Sequence, residues 1–485
     1  MPSPAGPPNR FAPPDRATAP RLNPAWHYHL LGIGGVGLSA VAEMMHRRGL
    51  RVSGSDAKEG PLLERLRGLG IAVRIGHPPE ALDGVDAVIY TPAVQPAHPI
   101  WAEVARRGLP RLHRVEALAA LTERTTTLAV AGTHGKTTTT AALGCALIAA
   151  GLDPTVLVGG QVPQFGGSNV RAGGGPDNRA PWWVVEADES DGSFVHLSPR
   201  AILVTNIEAD HLDHHGSLEQ VDAAFRAFVK RLDPARGLLV SCADDPAAKS
   251  LFHPGRTITY GVDPAATVRV SVGGMRPGAM ALEFSQAERS WSLTSRLVGR
   301  HNALNLAGAF ALALGLDLPE AAVLEGLAGF AGVERRQQYL GQAAGLSIFD
   351  DYAHHPTEIR ATLELFLSVY GPPVTVVFQP HLYSRTAHFA AEFAAALRPA
   401  TRVYVTDVYG AREAPLPGVS GRLIADGLAG HAAAAYVPSW EELVPRLLAG
   451  EAPPGLLLTM GAGDITGLGP RLLQARAAPA QRERL

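Results

Sequence analysis

The glycine-rich loop at residues 132–137 constrains the fold of this chain more than any other segment. It lies between the apolar run TLAVA and an Ala-rich stretch of high helical propensity, and it reads Gly132, Thr133, His134, Gly135, Lys136 and Thr137. Backbone N–H groups and the helix N-terminus bind phosphate oxygens in such a unit, where Lys136 would reach the phosphates of ATP and Thr137 would bind Mg²⁺. Val130 stands where a Walker A loop has its first glycine. The loop therefore predicts an ATP site in an α/β domain, the alternative being a chance match on a turn that binds nothing.

A second glycine loop follows the first apolar run of the chain. Gly32, Gly34 and Gly37 lie between HYHLL and the helical pattern LSAVAEMM, and Asp56 comes nineteen residues after Gly37. This spacing matches the dinucleotide-binding fingerprint and alone suggests an NAD enzyme. A chain with a second phosphate loop could equally bind a nucleotide-linked substrate here, and the pattern does not choose between the two.

The order of the apolar runs predicts an α/β protein of several domains. The chain has 485 residues, and roughly 150 residues per domain suggests about three domains. The section from GRTITYGV to TVRVSVGG is expected to add antiparallel strands to the middle domain. We predict a disordered Pro-rich tail at 1–25, a Rossmann-like domain at 26–124, a central P-loop domain with a mainly parallel sheet at 125–332, and a Rossmann-like C-terminal domain at 333–485.

Charge and composition narrow the class of partner. The net charge is −2 without a basic run, which argues against a nucleic-acid binder. Cys145 and Cys242 form no disulfide or zinc pattern, and a reducing cytoplasm is expected. No run of eighteen apolar residues predicts a membrane span. With nucleic acid and membranes excluded, we expect the partners to be small molecules.

Acidic and imidazole side chains follow two strands of the central region. Magnesium prefers hard oxygen ligands, and carboxylates at neighbouring strand ends could supply them. Acidic residues at strand ends often only cap helices or form turns. Histidines at loop starts often only form hydrogen bonds to the backbone, and for His214, His215 and His355 we give this interpretation the same weight as a functional role. The acids are Glu186, Asp188, Glu189, Asp191 and Asp210, and the histidine beside them is His211.

An ordered set of short motifs resembles the Mur ligase family. From about His27 to Asp464 the chain carries GTHGKTTT, EADESD, TNIEADH, HNALN, RR, DDYAHHPTE, FQPH and GAGD. The resemblance implies a UDP-substrate domain, an ATPase domain and a closing C-terminal domain. It also implies a cytoplasmic, ATP- and Mg²⁺-dependent ligase of peptidoglycan precursor synthesis, a monomer or weak homodimer. This ligase would join the carboxylate of UDP-N-acetylmuramate to L-alanine through an acyl phosphate.

The same resemblance implies the roles of individual residues. The first loop would hold the UDP part of the substrate, through Gly32, Gly34, Gly35, Gly37 and Asp56. ATP would contact Gly132, Thr133, His134, Gly135, Lys136, Thr137, Thr138, Asn302, Asn305, Arg336 and Asp351. The metal ligands would be Thr137, Glu186 and His211, and the amino acid would meet His354 and Arg385. The catalytic set would be Lys136, His211, Arg336, Asp351 and His354, with the base left open among His211, His354 and water.

Three departures from the family pattern are visible. Glu334 and Gln337 flank the Arg pair where the family has Gly and Phe, and Leu382 stands where some relatives have Arg. No lysine lies between His211 and Lys230, so we predict no carbamylated lysine. The alternatives are a ligase that attaches a ready-made peptide to the same UDP-sugar, a nucleotide-gated regulatory protein, and an NAD-dependent dehydrogenase.

Overall fold

The computed structural model describes residues 21–174, 181–210, 215–411 and 413–477. Three β-sheets with flanking helices form the fold, which confirms the predicted α/β class. By packing, the chain divides into two compact units. The first runs to Gly273 and includes Ala281–Arg296 and Asn302–Ala331, and the second comprises Gly274–Met280, Leu297–His301 and the chain from Gly332. The predicted domain boundaries stay predictions, and residues 1–20 of the predicted tail lie outside the described ranges.

The first sheet is parallel throughout, with strand order β3-β2-β1-β4-β5. The order reverses between β1 and β4, and in open α/β sheets the ligand crevice lies at the carboxyl ends of the strands at such a point. The strands are β1 (His27–Leu31), β2 (Arg51–Asp56), β3 (Ala72–Ile75), β4 (Ala87–Tyr90) and β5 (Arg111–His113).

The second sheet has the order β15-β14-β13-β12-β11-β10-β6-β9-β7-β8. Its central strand β6 lies between β10 and β9 and is parallel to both, so these three strands end at one edge. The strands are β6 (Thr126–Ala131), β7 (Thr155–Val162), β8 (Ser168–Arg171), β9 (Trp182–Glu186), β10 (Ala201–Val204), β11 (Leu238–Cys242), β12 (Arg256–Gly261), β13 (Val268–Arg276), β14 (Ala279–Gln286) and β15 (Arg289–Ser295).

The expectation of antiparallel strands from GRTITYGV onward is wrong for β12. This strand runs parallel to β11 over five residue pairs. The link from β12 to β13 covers only residues 262–267, and short links normally join antiparallel strands. Here β13 nevertheless pairs in parallel with the end of β12, through Tyr260 with Val268 and Gly261 with Arg269.

The third sheet has the order β16-β17-β21-β18-β19-β20 and is parallel except for β16, which is antiparallel to β17. The polar motifs after β17, β21 and β18 therefore meet at adjacent strand ends. The strands are β16 (Gln338–Ala343), β17 (Leu346–Asp351), β18 (Val374–Phe378), β19 (Arg402–Val405), β20 (Ala434–Tyr436) and β21 (Gly455–Met460).

Helices cover the sheets in two ways. Amphipathic helices bury one stripe, as where Phe225 and Phe228 pack on Phe194. Helices α5 and α8 are buried on nearly all sides. The described helices are α1 (Val36–Arg47), α2 (Pro61–Gly68), α3 (Ile100–Arg106), α4 (Arg114–Thr122), α5 (Lys136–Ala149), α6 (Leu218–Val229), α7 (Pro246–Lys249), α8 (Arg300–Gly315), α9 (Glu320–Gly329), α10 (Pro356–Val369), α11 (Tyr383–Leu397), α12 (Arg422–Gly427), α13 (Leu443–Leu448) and α14 (Leu468–Ala477). None of them has the length and apolar character needed to cross a bilayer.

Candidate active site

The phosphate loop connects β6 to α5, and two of its positions accept only glycine. Gly132 has a φ of +134°, and a Cβ there would lie 2.0 Å from the Thr205 hydroxyl oxygen. Gly135 has a φ of +82°, and its Cβ would lie 2.3 Å from Asn305 Oδ1. Both distances are far inside van der Waals contact, and both φ values disfavour a side chain. The loop is therefore packed tightly against the end of β10 and against α8.

Thr205 and Asn206, which directly follow β10, hold the backbone of this loop in place. Thr205 Oγ1 and Asn206 Nδ2 both donate to the His134 carbonyl, at 2.6 and 3.1 Å. Asn206 Oδ1 accepts from the His134 N–H at 2.8 Å, and the Asn206 carbonyl accepts from the Thr133 N–H at 3.0 Å. The loop conformation is thus held by the protein itself, and the N-terminus of α5 is left to bind phosphate.

Lys136 points back into the loop that precedes it. Its ammonium donates to the carbonyls of Gly132 and Thr133, at 2.6 and 3.1 Å, and to Glu189 Oε1 at 2.8 Å. Burial acts to lower the pKa of Lys136, but Glu189 and the neighbouring carboxylates raise it on balance. The lysine is therefore charged and lies within the loop that would receive phosphate.

Thr137 and Glu186 meet at the same strand edge. The Thr137 hydroxyl donates to Glu186 Oε1 at 2.9 Å, and Glu186 Oε2 accepts from the Gly159 N–H at 2.5 Å. Burial raises the pKa of Glu186, and Lys136 opposes this shift. A hydroxyl and a carboxylate are the hard oxygen donors that suit Mg²⁺ beside a phosphate. The third predicted metal ligand, His211, lies outside the described residues, as does His214.

Helix α8 supplies the two predicted asparagines. Asn302 and Asn305 are buried, and Asn305 Nδ2 donates to Asn302 Oδ1 at 3.3 Å. Asn305 Oδ1 lies against Gly135, while Thr138 is buried in the first turn of α5. Within the first unit, the structure thus brings the predicted residues of the phosphate loop, Glu186 and Asn305 together.

The first glycine loop follows β1 and is anchored to β2. The N–H groups of Gly32 and Ile33 donate to the Ser55 carbonyl, at 2.8 and 3.1 Å. The Gly34 N–H donates to Asp56 Oδ2 at 2.7 Å, so this carboxylate holds the loop itself. Gly35 is the N-cap of α1 and has an extended backbone. Gly32, Gly34 and Gly35 thus lie in the loop before α1, Gly37 lies in the first turn of α1, and Asp56 at the end of β2 binds the loop.

A cavity of about 740 Å³ opens at the carboxyl ends of β4 and β5, where the segment 191–196 also lines it. It combines aromatic walls with charged groups, which suits a sugar or nucleotide. His113 Nε2 lies 3.3 Å from Asp191 Oδ2, and hydrogen bonds from His113 and Ser193 outweigh burial and lower the pKa of Asp191. The lining includes Tyr90, Trp101, Arg111, His113, Asp191 and His196.

Arg114, which opens α4, supplies a cation to the first loop. A Cβ on Gly37 would lie 2.8 Å from Arg114 Nη1, so the guanidinium rests against the first turn of α1. Its Nη2 also lies 3.6 Å from Asp188 Oδ2. Burial acts to raise the pKa of Asp188, but Arg114 and then Lys136 lower it on balance. Arg114 therefore connects the first glycine loop to the acidic segment after β9.

In the second unit, the two arginines of the RR motif have different acidic partners. Arg335 Nε lies 3.2 Å from Asp350, whereas Arg336 Nη1 lies 3.4 Å from Glu358. Asp351, which ends β17, accepts from the N–H groups of Gln337 and Ala353, at 2.8 and 2.9 Å. Burial raises the pKa of Asp351 to about 6, although Arg336 opposes it. Arg336 and Asp351 thus lie in one polar cluster at the end of β17.

His354 follows β17 and is half-buried among charged groups. Its ring Nδ1 lies 2.9 Å from the Tyr352 carbonyl, and its backbone N–H donates to Glu358 Oε2 at 3.0 Å. Burial lowers the pKa of His354 to about 3, against the effect of Glu358. Arg385 is buried in the first turn of α11, after Leu382, whose φ of +70° is unusual for a branched residue.

Several residues stabilise the backbone near the site, some predicted from the sequence and some not. His215 Nε2 bonds to the Glu189 carbonyl at 2.8 Å, and His355 caps α10, which supports the backbone-bonding interpretation of both. Thr205, Asn206 and Arg114 were missed. The polar pair directly after β10 was a usable signal for the first two, because β10 and the loop strand share one edge. No sequence pattern singles out Arg114.

Three family models match successive parts of the chain. They are described as "Mur ligase family, catalytic domain" at residues 27–126, "Mur ligase middle domain" at 130–313 and "Mur ligase, glutamate ligase domain" at 335–463. Among solved structures, a UDP-N-acetylmuramate-alanine ligase from Thermotoga maritima has a TM-score of 0.79 and 31% identity, covering 93% of this chain and 99% of its own. A murein peptide ligase from Psychrobacter arcticus has a TM-score of 0.70 and 23% identity, over 93% and 98% of the two chains.

Curated relatives extend the match at higher identity. A UDP-N-acetylmuramate--L-alanine ligase from Renibacterium salmoninarum is 45% identical over 468 residues, which cover 95% of this chain and 98% of the relative. One from Kineococcus radiotolerans is 47% identical over 464 residues, covering 93% and 96%. With three family models in the predicted order, and relatives matched over almost their whole length, this chain belongs to the Mur ligase family.

Proposed function

We propose that this chain joins L-alanine to UDP-N-acetylmuramate in an ATP-dependent reaction that yields ADP and phosphate. The observation that carries the proposal is the junction of β6, β9 and β10, where Lys136, Thr137 and Glu186 surround a preformed phosphate loop. Curated relatives at 45–47% identity over nearly the whole chain have this activity by name. The family assignment also favours a UDP-sugar over NAD as the ligand of the first glycine loop.

The chemistry explains why ATP is needed. An amine does not attack a carboxylate at a useful rate, because the carboxylate oxygen is a poor leaving group. Transfer of the γ-phosphoryl group to that oxygen gives an acyl phosphate and ADP. The amine of L-alanine then attacks the acyl carbon, the tetrahedral intermediate expels phosphate, and a proton is lost from nitrogen as the amide forms. Lys136 would neutralise charge on the transferred group.

We propose Mg²⁺ as the metal of this site, held by Thr137 and Glu186, whose oxygens already face each other at 2.9 Å. When bound, the ion would supply positive charge to the phosphate oxygens and help to align them. His211 stays our third proposed ligand. Asn305, which packs against the loop, and Asn302, its hydrogen-bond partner, would contact the nucleotide, as would Arg336 and Asp351 of the second unit.

His354 and Arg385 are our proposed contacts for L-alanine. With the Nδ1 proton of His354 assigned to the bond with the Tyr352 carbonyl, Nε2 is left as an acceptor. A general base works best when its pKa lies near the working pH, and the pKa of His354 is lowered to about 3. We therefore assign His354 an orienting role and leave the base to His211 or water. The buried Arg385 guanidinium would pair with the amino-acid carboxylate.

The wider organisation follows the same proposal. We assign 26–124 to the UDP-substrate, 125–332 to ATP and 333–485 to closure over the substrates. The reaction would take place in the cytoplasm, in a monomer or weak homodimer, which light scattering of the purified protein would test.

The test compares two amine substrates. Purified protein is incubated with ATP, UDP-N-acetylmuramate and either L-alanine or an L-alanine-containing tripeptide, and phosphate release and the amide product are measured. We expect release with L-alanine at a rate at least about tenfold above that with tripeptide. Phosphate release with tripeptide alone would instead identify a ligase that recycles ready-made peptide.

A further inference from the structure

The acidic segment after β9 contains a carboxylate for which the proposed reaction has no use so far. Glu189 is 2% exposed, and its side chain points at Lys136 rather than at the Thr137–Glu186 pair. Its backbone is fixed, because its carbonyl accepts from His215 Nε2 at 2.8 Å and from the Gly192 N–H at 2.9 Å. Glu189 therefore lies in a defined place, with one oxygen 2.8 Å from the lysine nitrogen.

The surroundings of Glu189 are unusual for a purely structural ion pair. Its Oε1 binds Lys136, whereas its Oε2 is buried without a hydrogen-bond partner among the residues that the structure describes. A buried carboxylate oxygen without a partner costs free energy, so this pair is not optimised for stability. Burial raises the pKa of Glu189 to about 7, and Lys136 works against this shift. The lysine therefore favours the anionic form of Glu189, against the effect of burial.

The same lysine is the group that must turn to the phosphates. Lys136 makes contacts with two loop carbonyls and with Glu189. Phosphate oxygens entering the loop would compete with Glu189 for the ammonium, and the two anions would repel each other in a site that excludes most water.

We propose that Glu189 is a positioning residue, the counter-ion that holds Lys136 within the phosphate loop and competes with the nucleotide for it. This inference rests on the proposed ATP site and extends it. It means that the Glu189 carboxylate lowers the affinity for the nucleotide, whereas an ion pair that only stabilised the loop would raise this affinity. Replacement of the carboxylate by an amide should therefore tighten nucleotide binding.

The experiment measures the affinity of a non-hydrolysable ATP analogue by calorimetry, with full-length protein and Mg²⁺. Glu189→Gln keeps an acceptor for Lys136 but removes the competing charge, and we expect the Kd to fall about tenfold. The KM for ATP in the ligase assay should fall in parallel, while the KM for the UDP-sugar stays unchanged. Glu189→Asp keeps the charge on a shorter side chain and should bind about threefold more tightly than wild type.

The matched control is Glu43→Gln. Glu43 on α1 is also a carboxylate with a 3% exposed side chain, and it is paired with Arg47 and Arg65, away from the phosphate loop. Its substitution should leave the Kd unchanged. If folded Glu189→Gln and Glu189→Asp proteins bind the analogue as weakly as wild type or more weakly, the inference is wrong. If wild type itself does not bind the analogue, the proposed ATP site fails first.

Discussion

The two glycine loops occupy equivalent places, each between a central strand and a helix N-terminus, yet they obtain positive charge differently. The second loop contains its own cation, because Lys136 begins α5 and folds back onto Gly132. The first loop has none, and Arg114 approaches Gly37 from α4 instead. One N–H of the first loop is also used by Asp56. A terminal phosphate that is to be transferred suits the second loop, while the first suits a group that is only held.

The titratable groups beneath the two loops differ as well. Under the second loop the buried groups are acids, and burial raises the pKa of Glu186 and of Glu189. Under the first loop they are the imidazoles of His27 and His29, and burial lowers the pKa of both and of the half-buried His77. By linkage, a fall in pH should cost stability through the histidines of the first sheet, whose pKa values are lowered on folding, and not through Glu186 and Glu189, whose pKa values are raised.

Removal of the built-in cation should have the largest effect. Lys136→Ala is expected to reduce ligase turnover on the order of a thousandfold, because the transferred phosphoryl group loses a positioned positive charge. The binding of the UDP-sugar, measured by calorimetry, should change little. The control is Lys249→Ala, which removes an exposed lysine paired with Asp263. Amide formation at the normal rate by Lys136→Ala would refute the assignment of the second loop.

The buried imidazoles give the second prediction. His29 is 1% exposed, its Nδ1 lies 2.9 Å from the Ser53 hydroxyl and its Nε2 3.0 Å from the Ser55 hydroxyl. Burial, with help from nearby His27, His77 and Arg74, lowers the pKa of His29 to about 3. Unfolded histidine has a pKa of about 6.5, so the folded state binds fewer protons below that pH. Stability is thus fully present above pH 6.5 or so and is lost as pH falls toward 3.

Between pH 8 and pH 5 the loss through His29 should be about 2 kcal/mol. Urea denaturation followed by tryptophan fluorescence at the two pH values measures it, and His29→Gln should flatten the difference. His388→Gln, at an exposed imidazole, controls for loss of a histidine as such. Equal acid sensitivity of wild type and His29→Gln would show that this imidazole is not the acid-sensitive group.

The residues of the second loop could be predicted from the sequence more fully than the residues that hold its backbone in place. Lys136, Thr137 and Glu186 could be placed together because glycine turns and acidic strand ends leave local signals. The polar pair after β10 could have marked Thr205 and Asn206 themselves, but their bonds reach main-chain atoms about seventy residues earlier, and a local pattern does not identify those partners. The direction of a strand relative to its neighbours also could not be predicted from the local sequence pattern. Alternation in TVRVSVGG reports half-burial, and a short link is normally a hairpin, yet β12 is parallel to both of its neighbours.

Close packing of the second loop provides the third prediction. Gly135→Ala would set a Cβ 2.3 Å from Asn305 Oδ1, whereas Gly151→Ala, at a similar φ of +81°, meets nothing within 4 Å. Both variants carry the same backbone strain, so their difference isolates the contact with α8. We expect Gly135→Ala to weaken ATP-analogue binding about tenfold beyond Gly151→Ala. Equal affinities would mean that Asn305 moves away without consequence for the loop.

The first loop should respond least to the same change. At Gly37 a Cβ would lie 2.8 Å from Arg114 Nη1, and the far end of a flexible side chain can retreat. We expect Arg114 to supply positive charge to the first loop, as Lys136 does to the second. If the Arg114 guanidinium moves away, the KM for the UDP-sugar should rise about threefold and the KM for ATP should stay unchanged. Gly60→Ala, where a Cβ has no neighbour within 4 Å, is the control in the same domain. An unchanged KM for the UDP-sugar would show that the borrowed guanidinium does not touch the substrate, and that the first loop binds through its backbone alone.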